Sequence, residues 1–178
     1  VGYGNIGRRV ARIARTFGMA VLVVDPFVAA EDINEPGLQK TTLEALFREA
    51  DIVSLHLSSG PHSDGLVNAA LLNSMKPGAL LINTARGAVI DEPALCEVLA
   101  ARPDLSAALD VYETEPLPAG HPLEKLPNVL LMPHMGGPTV DRRLAVTRSV
   151  TQDIRRFLAG QPMSCEISRS YAAKMSAY

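Results

Sequence analysis

The sequence predicts an α/β fold built on a doubly wound parallel sheet, and three observations carry that prediction. Short apolar, β-branched runs alternate with helix-period segments along most of the chain. Three glycines, Gly2, Gly4 and Gly7, stand in a Gly-x-Gly-x-x-Gly directly ahead of the first helical pattern. An acid, Asp25, closes the next apolar run.

The elements follow in order. Only Val1 precedes the glycine turn, so the sheet's first strand is expected to be truncated. A helix over 6–17 places Ile6, Val10, Ile13, Ala14 and Phe17 on one face, with Gly18 as its stop. A strand over 20–24 ends at Asp25. Thr41 and Glu44 have capping-box spacing for a short helix through Arg48. A strand over 52–57, a helix over 69–75 and a turn at Lys76-Pro77-Gly78 lead into a strand over 79–83. The helix over 92–101 carries Pro93 near its start, where a missing N–H does no harm. A strand over 105–109 is followed by a Pro- and Gly-rich stretch, 116–127, that reads as a long surface loop. The last strand spans 129–132. Pro138 then opens a long amphipathic helix to about Ala159, and the tail after Gly160 has no clear period. Residues 1–160 therefore read as one Rossmann-type nucleotide-binding domain. Residues 161–178 read as a tail that docks on another domain.

Composition narrows the function. A chain of 178 residues suits one domain, and its 17 basic and 19 acidic residues leave a formal charge of −2. That balance does not point to nucleic acid as a partner. Cys96 and Cys165 lie far apart with no metal-ligand spacing, which fits reduced thiols in the cytoplasm. No apolar run approaches the roughly 20 residues of a membrane span.

The glycine turn and Asp25 together point to a dinucleotide. The first glycine permits the tight turn, the second lets the backbone approach a pyrophosphate, and the third packs helix on strand. Asp25 lies 18 residues after Gly7, where a carboxylate accepts hydrogen bonds from an adenosine ribose diol. A carboxylate there repels a 2′-phosphate, and neither Pro26 nor Phe27 offers an arginine, so NAD is favoured over NADP.

A second constellation lies further along. Asn83-Thr84-Ala85-Arg86-Gly87, Asp110 to Pro116 and Pro133-His134-Met135-Gly136-Gly137 each follow the carboxyl end of an expected strand. Open α/β sheets bind ligands at that edge, so Arg86, Glu115 and His134 are expected to converge. An imidazole accepts a hydroxyl proton near neutral pH. A carboxylate on its other nitrogen fixes the tautomer, and a guanidinium holds a substrate carboxylate bidentately. His56 at a strand end, His62 in a polar loop and His121 in the proline-rich loop read as non-catalytic, His121 as solvated. The pairs Arg142-Arg143 and Arg155-Arg156 read as exposed helix faces.

These motifs, with Val-Asp-Pro at 24–26, Met-Lys-Pro-Gly at 75–78, Asn-Thr-Ala-Arg-Gly at 83–87 and Ala-Leu-Asp-Val-Tyr at 108–112, carry a resemblance. Over nearly all of residues 1–160 the chain resembles the NAD-binding domain of the D-isomer-specific 2-hydroxyacid dehydrogenases. The resemblance implies hydride transfer between NAD(H) and a small 2-hydroxy or 2-keto acid, with Arg86 binding substrate, His134 as acid/base and Glu115 as its partner. It also implies that Asn5 and Ile6 line the pyrophosphate and that Asp110 holds the nicotinamide carboxamide. Thr84, Ala85 and Arg86 line the nicotinamide end, and His134 and Gly137 border the cofactor. A homodimer is implied, as is a substrate domain built mainly from residues ahead of the glycine turn. The segment His56-Leu57-Ser58-Ser59-Gly60-Pro61 departs from the family's usual His-Leu-Pro and Thr-containing loop. The alternative readings are a non-catalytic NAD(H)-sensing dimer of the corepressor type, which resembles the same family, and an inactive fragment.

Overall fold

The computed structural model describes residues 1–33 and 35–175. Helix α1 (Asn5–Thr16) follows the glycine turn and leads to strand β1 (Val21–Val23). Strand β2 (Leu38–Lys40) pairs in parallel with β1. Helix α2 (Leu43–Glu49), strand β3 (Ile52–Leu55), helix α3 (Ala69–Ser74) and strand β4 (Leu80–Asn83) come next. Helix α4 (Glu92–Ala101), strand β5 (Ser106–Leu109), strand β6 (Val129–Leu131), helix α5 (Val140–Leu158) and helix α6 (Arg169–Met175) complete the order.

Strands β3-β4-β5-β6 form one parallel sheet in sequence order. Their register sets Leu55, Asn83, Leu109 and Leu131 side by side, so the loops after them leave from one edge. Near-continuous apolar runs suit these strands because helices cover the faces of a parallel sheet. Phe47, Val53 and Leu55 are fully buried, and Leu81, Leu95 and Leu105 nearly so. Helices α2, α3 and α4 begin on side-chain caps from Thr42, Asn68 and Asp91. Each cap satisfies one orphan N–H of its first turn.

Val1 and Gly2 pair on both sides. The Val1 carbonyl accepts from the His56 N–H at 2.8 Å, and the Gly2 N–H donates to the Val24 carbonyl at 2.8 Å. The Val1 nitrogen donates to the Ser54 carbonyl at 2.8 Å. These two residues lie between β1 and β3 and bridge the two sheets.

Several expectations are corrected. Strand β2 was not expected, because Leu38-Gln39-Lys40 is half polar and lacks an apolar run; its backbone pairing, not its composition, makes it a strand. The cap of α2 is Thr42, whose hydroxyl accepts from the Ala45 N–H at 3.2 Å, rather than Thr41. The stretch 116–127 is not wholly a surface loop, since a 3-10 turn, Pro122–Lys125, buries Leu123 to 1% exposure. His121 is held rather than solvated: its Nε2 lies 3.3 Å from Glu92 and its Nδ1 accepts from the Leu123 N–H. The tail contains α6, which had no readable period. The apolar face expected on α1 does not enter the core. Gly7 and Ala11 are its buried residues, while Ile6, Ile13 and Phe17 are 67%, 54% and 75% exposed. Among the described residues no helix is long and apolar enough to cross a membrane.

Candidate active site

The glycine turn takes the geometry its spacing demands. Gly2 has φ +85°, and a Cβ there would strike the His56 carbonyl. A Cβ on Gly7 would strike the Gly2 carbonyl. Gly4 is different: it is the N-cap of α1 without a side-chain cap, and nothing lies within 4 Å of where its Cβ would be. The first turn of α1 also carries no acid. Open space in front of free helix N–H groups is the form of a pyrophosphate site, so these residues fit NAD. Asn5 and Ile6 are both exposed at this end, and the Asn5 amide donates to the Tyr171 hydroxyl of α6 at 3.0 Å.

Asp25 is 6% exposed and shapes the same turn. Its Oδ2 accepts from the Tyr3 N–H at 2.7 Å and its Oδ1 from the Phe27 N–H at 2.8 Å. Each carboxylate oxygen has a second lone pair, so the acid fixes the loop and retains acceptor capacity for a ribose hydroxyl.

At the far side of the sheet edge, His134 Nδ1 lies 2.5 Å from Glu115 Oε2. The Glu115 Oε1 accepts from the Tyr112 N–H at 3.1 Å. Hydrogen bonding to His134, aided by the Tyr112 N–H and the charges of His134 and Arg86, holds Glu115 below the usual carboxylate range. A carboxylate on Nδ1 assigns the ring proton there and leaves Nε2 as the free acceptor. Both side chains remain partly open to solvent, at 48% for His134 and 33% for Glu115. Arg86 and Thr84 are exposed on the neighbouring loop, with Ala85 half-buried.

The supports of this pair were harder to read from sequence. His134 has φ +50°, a left-handed conformation that non-glycine residues seldom adopt. Asp110, 1% exposed, secures the following residues: Oδ1 accepts from the Met135 N–H at 2.8 Å and Oδ2 from the Gly136 N–H at 2.7 Å. Sequence reasoning placed Asp110 toward the cofactor's carboxamide; here both oxygens hold the His134 loop. Gly137 lies beyond that loop in open space. The Tyr112 hydroxyl, whose pKa burial raises further, donates to the Met132 carbonyl at 2.7 Å and ties the loop after β5 to the end of β6. Asn83, also 1% exposed, was missed as a site residue. Its Oδ1 accepts from Ala85 N–H and its Nδ2 donates to the Arg86 carbonyl, which builds the turn presenting Arg86. An asparagine at a strand end is the signal that marks such a turn. His56 is set apart: its Nε2 lies 3.0 Å from the Ser54 hydroxyl, and burial lowers its pKa.

The chain has relatives among known proteins. Residues 1–136 match the family model described as the D-isomer specific 2-hydroxyacid dehydrogenase, NAD binding domain. The D-3-phosphoglycerate dehydrogenase of Synechocystis sp. is 40% identical over 162 residues, covering 91% of this chain and 29% of that protein. The D-mandelate dehydrogenase of Rhodotorula graminis superposes with a TM-score of 0.84 at 33% identity, covering 94% of this chain and 50% of the other. The D-lactate dehydrogenase of Lactobacillus jensenii, solved with NAD+, gives a TM-score of 0.81 at 29% identity, covering 94% and 54%. The chain thus spans about half or less of the length of these relatives. With its glycine turn, its acid after β1 and its parallel sheet, the chain belongs to the D-isomer-specific 2-hydroxyacid dehydrogenase family and forms its NAD-binding domain.

Proposed function

We propose that the protein interconverts a D-2-hydroxy acid and its 2-keto acid, with Arg86, Glu115 and His134 as the catalytic set. The observation that carries this reading is the 2.5 Å contact between His134 Nδ1 and Glu115 Oε2 at the carboxyl edge of the sheet. NAD(H), when bound, accepts or supplies the hydride. The guanidinium of Arg86 binds the substrate carboxylate and orients the reacting carbon. In the oxidative direction the substrate hydroxyl gives its proton to His134 Nε2. Glu115 keeps the ring in the receiving tautomer and stabilises the imidazolium that results. In reduction the same Nε2–H protonates the forming alkoxide. Gly2, Gly4, Asn5, Ile6, Gly7 and Asp25 hold the adenosine and pyrophosphate. Thr84, Ala85, Arg86, Asp110, His134 and Gly137 border the nicotinamide end, Asp110 through the loop it secures.

The relatives' names extend the reading to small hydroxy and keto acids such as phosphoglycerate, mandelate and lactate. We further read the protein as a cytoplasmic homodimer in which residues 161–178 dock on a substrate domain. Two free cysteines, Cys96 and Cys165, support a reducing compartment. Residues 176–178 of that tail lie outside the described residues.

Replacing His134 by Asn in the protein at its natural length tests the mechanism. Steady-state turnover on a panel of 2-keto acids should fall by about 10²–10⁴-fold, the usual contribution of a general acid/base. NADH affinity should be retained. Turnover close to that of the unaltered protein would remove His134 from its role.

A further inference from the structure

Helix α1 carries Arg8, Arg9, Arg12 and Arg15, at i, i+1, i+4 and i+7. That spacing keeps four guanidiniums on one side of the helix. All four line a single cavity of about 210 Å³ between α1 and the start of β2. Among the described residues Glu35 is the one acid lining it, and it pairs with Arg15. Arg9 and Arg12 have no hydrogen-bond or ion-pair partner among the described residues. The chain's overall charge of −2 conceals this local excess of positive charge.

The cavity also contains Tyr3, which is 6% exposed. The Arg8 guanidinium carbon lies 4.4 Å from the centre of its ring, a cation–π arrangement. No described residue hydrogen-bonds the Tyr3 hydroxyl. A buried hydroxyl without a partner is uncommon, and like charges spaced i, i+4 on a helix repel. One ligand chemistry satisfies both: an anion with several acceptor oxygens, which takes the phenolic O–H and bridges guanidiniums bidentately.

We propose that the arginine-lined cavity beside α1 is a binding site for a phosphate dianion. The Tyr3 backbone belongs to the nucleotide turn through its bond to Asp25, so the anion sits next to the adenosine end of the cofactor site. The phosphate belongs to a free phosphate ester, since the Asp25 carboxylate beside the turn repels a phosphate on the cofactor's ribose.

Titration of the protein at its natural length with inorganic phosphate, followed by calorimetry at low ionic strength, tests this, since salt screens exposed charges. Saturable binding is expected, and Arg9→Gln and Arg12→Gln should each weaken it about tenfold while leaving the NADH Kd within about twofold. Tyr3→Phe, which removes only the unpartnered hydroxyl, should also weaken it. Phosphate that binds independently of NADH and NADPH supports a free ester, and phosphate that competes with either cofactor overturns a site of its own. No binding up to about 10 mM phosphate, or equal binding by both arginine variants, overturns the proposal. Failure of NADH to bind would instead overturn the cofactor reading, and the phosphate titration would still decide this one.

Discussion

The two halves of the molecule are built differently. The half made by β3–β6 with α2–α4 has a dense core, and all three of its helices start on a side-chain cap. The half made by β1, β2 and α1 has a small core of Tyr3, Ala11, Val23, Val28 and Ile33, and its helix starts on an uncapped glycine. The loops that carry the proposed catalytic residues leave the first half; the glycine turn belongs to the second. A proton-transfer pair needs its side chains fixed to a fraction of an ångström, which dense packing behind the loops supplies. An anion site on a helix needs free N–H groups, which a capped terminus would not offer.

The contrast is tested most strongly by one residue type in both halves. Phe47 of α2 is fully buried, whereas Phe17 at the end of α1 is 75% exposed. Phe47→Ala should lower unfolding free energy by about 3–5 kcal/mol through lost burial and a residual cavity. Phe17→Ala should change it by less than about 0.5 kcal/mol, as exposed sites do. Urea denaturation of the two variants measures the difference. Equal losses would show that the apolar stripe of α1 is covered in solution.

A smaller effect is expected behind the His134–Glu115 pair. Asp110→Ala removes the carboxylate that accepts the Met135 and Gly136 N–H groups. The stability loss should be about 1–2 kcal/mol, since water can reach the exposed N–H groups once the acid is gone. Under the proposed mechanism kcat should fall with it, because His134 loses the anchor that keeps it left-handed at φ +50°. Normal kcat in a destabilised Asp110→Ala variant would separate the anchor from the chemistry.

What could be read from sequence follows the same division. In the dense half, apolar runs are buried on both sides, so composition and structure agree: the helix expected at 92–101 is found at Glu92–Ala101. The glycine turn and Asp25 were legible because the backbone there demands particular residues. Legibility fails where a residue's role depends on partners distant in sequence. Asp110 spends its oxygens on residues 25 and 26 positions away, and strand β2 exists through pairing with β1. The stripe Ile6, Ile13 and Phe17 has helical period, yet period states only that a face is apolar, not that something lies against it. The α1 arginines escaped notice for the complementary reason. Their charges balance against acids elsewhere in the count, and only the fold puts four of them around one cavity.

The smallest stability change is expected at the helix termini, and its sign distinguishes the halves. Thr42→Ala should destabilise by about 1 kcal/mol through the lost cap on α2, with no change in NADH affinity. Gly4→Ser should do the reverse. Gly4 has φ −76°, which a serine adopts without strain, and its hydroxyl can cap α1 for a gain of a few tenths of a kcal/mol. The same side chain would stand in the open space where the pyrophosphate must approach, so NADH binding should weaken about tenfold or more, roughly 1.4 kcal/mol. Thermal unfolding and NADH fluorescence titration on the two variants read both quantities. A Gly4→Ser protein that binds NADH undiminished would move the pyrophosphate away from the N-terminus of α1. Helix α1 would then be uncapped for no functional reason, and the contrast between the halves would reduce to packing alone.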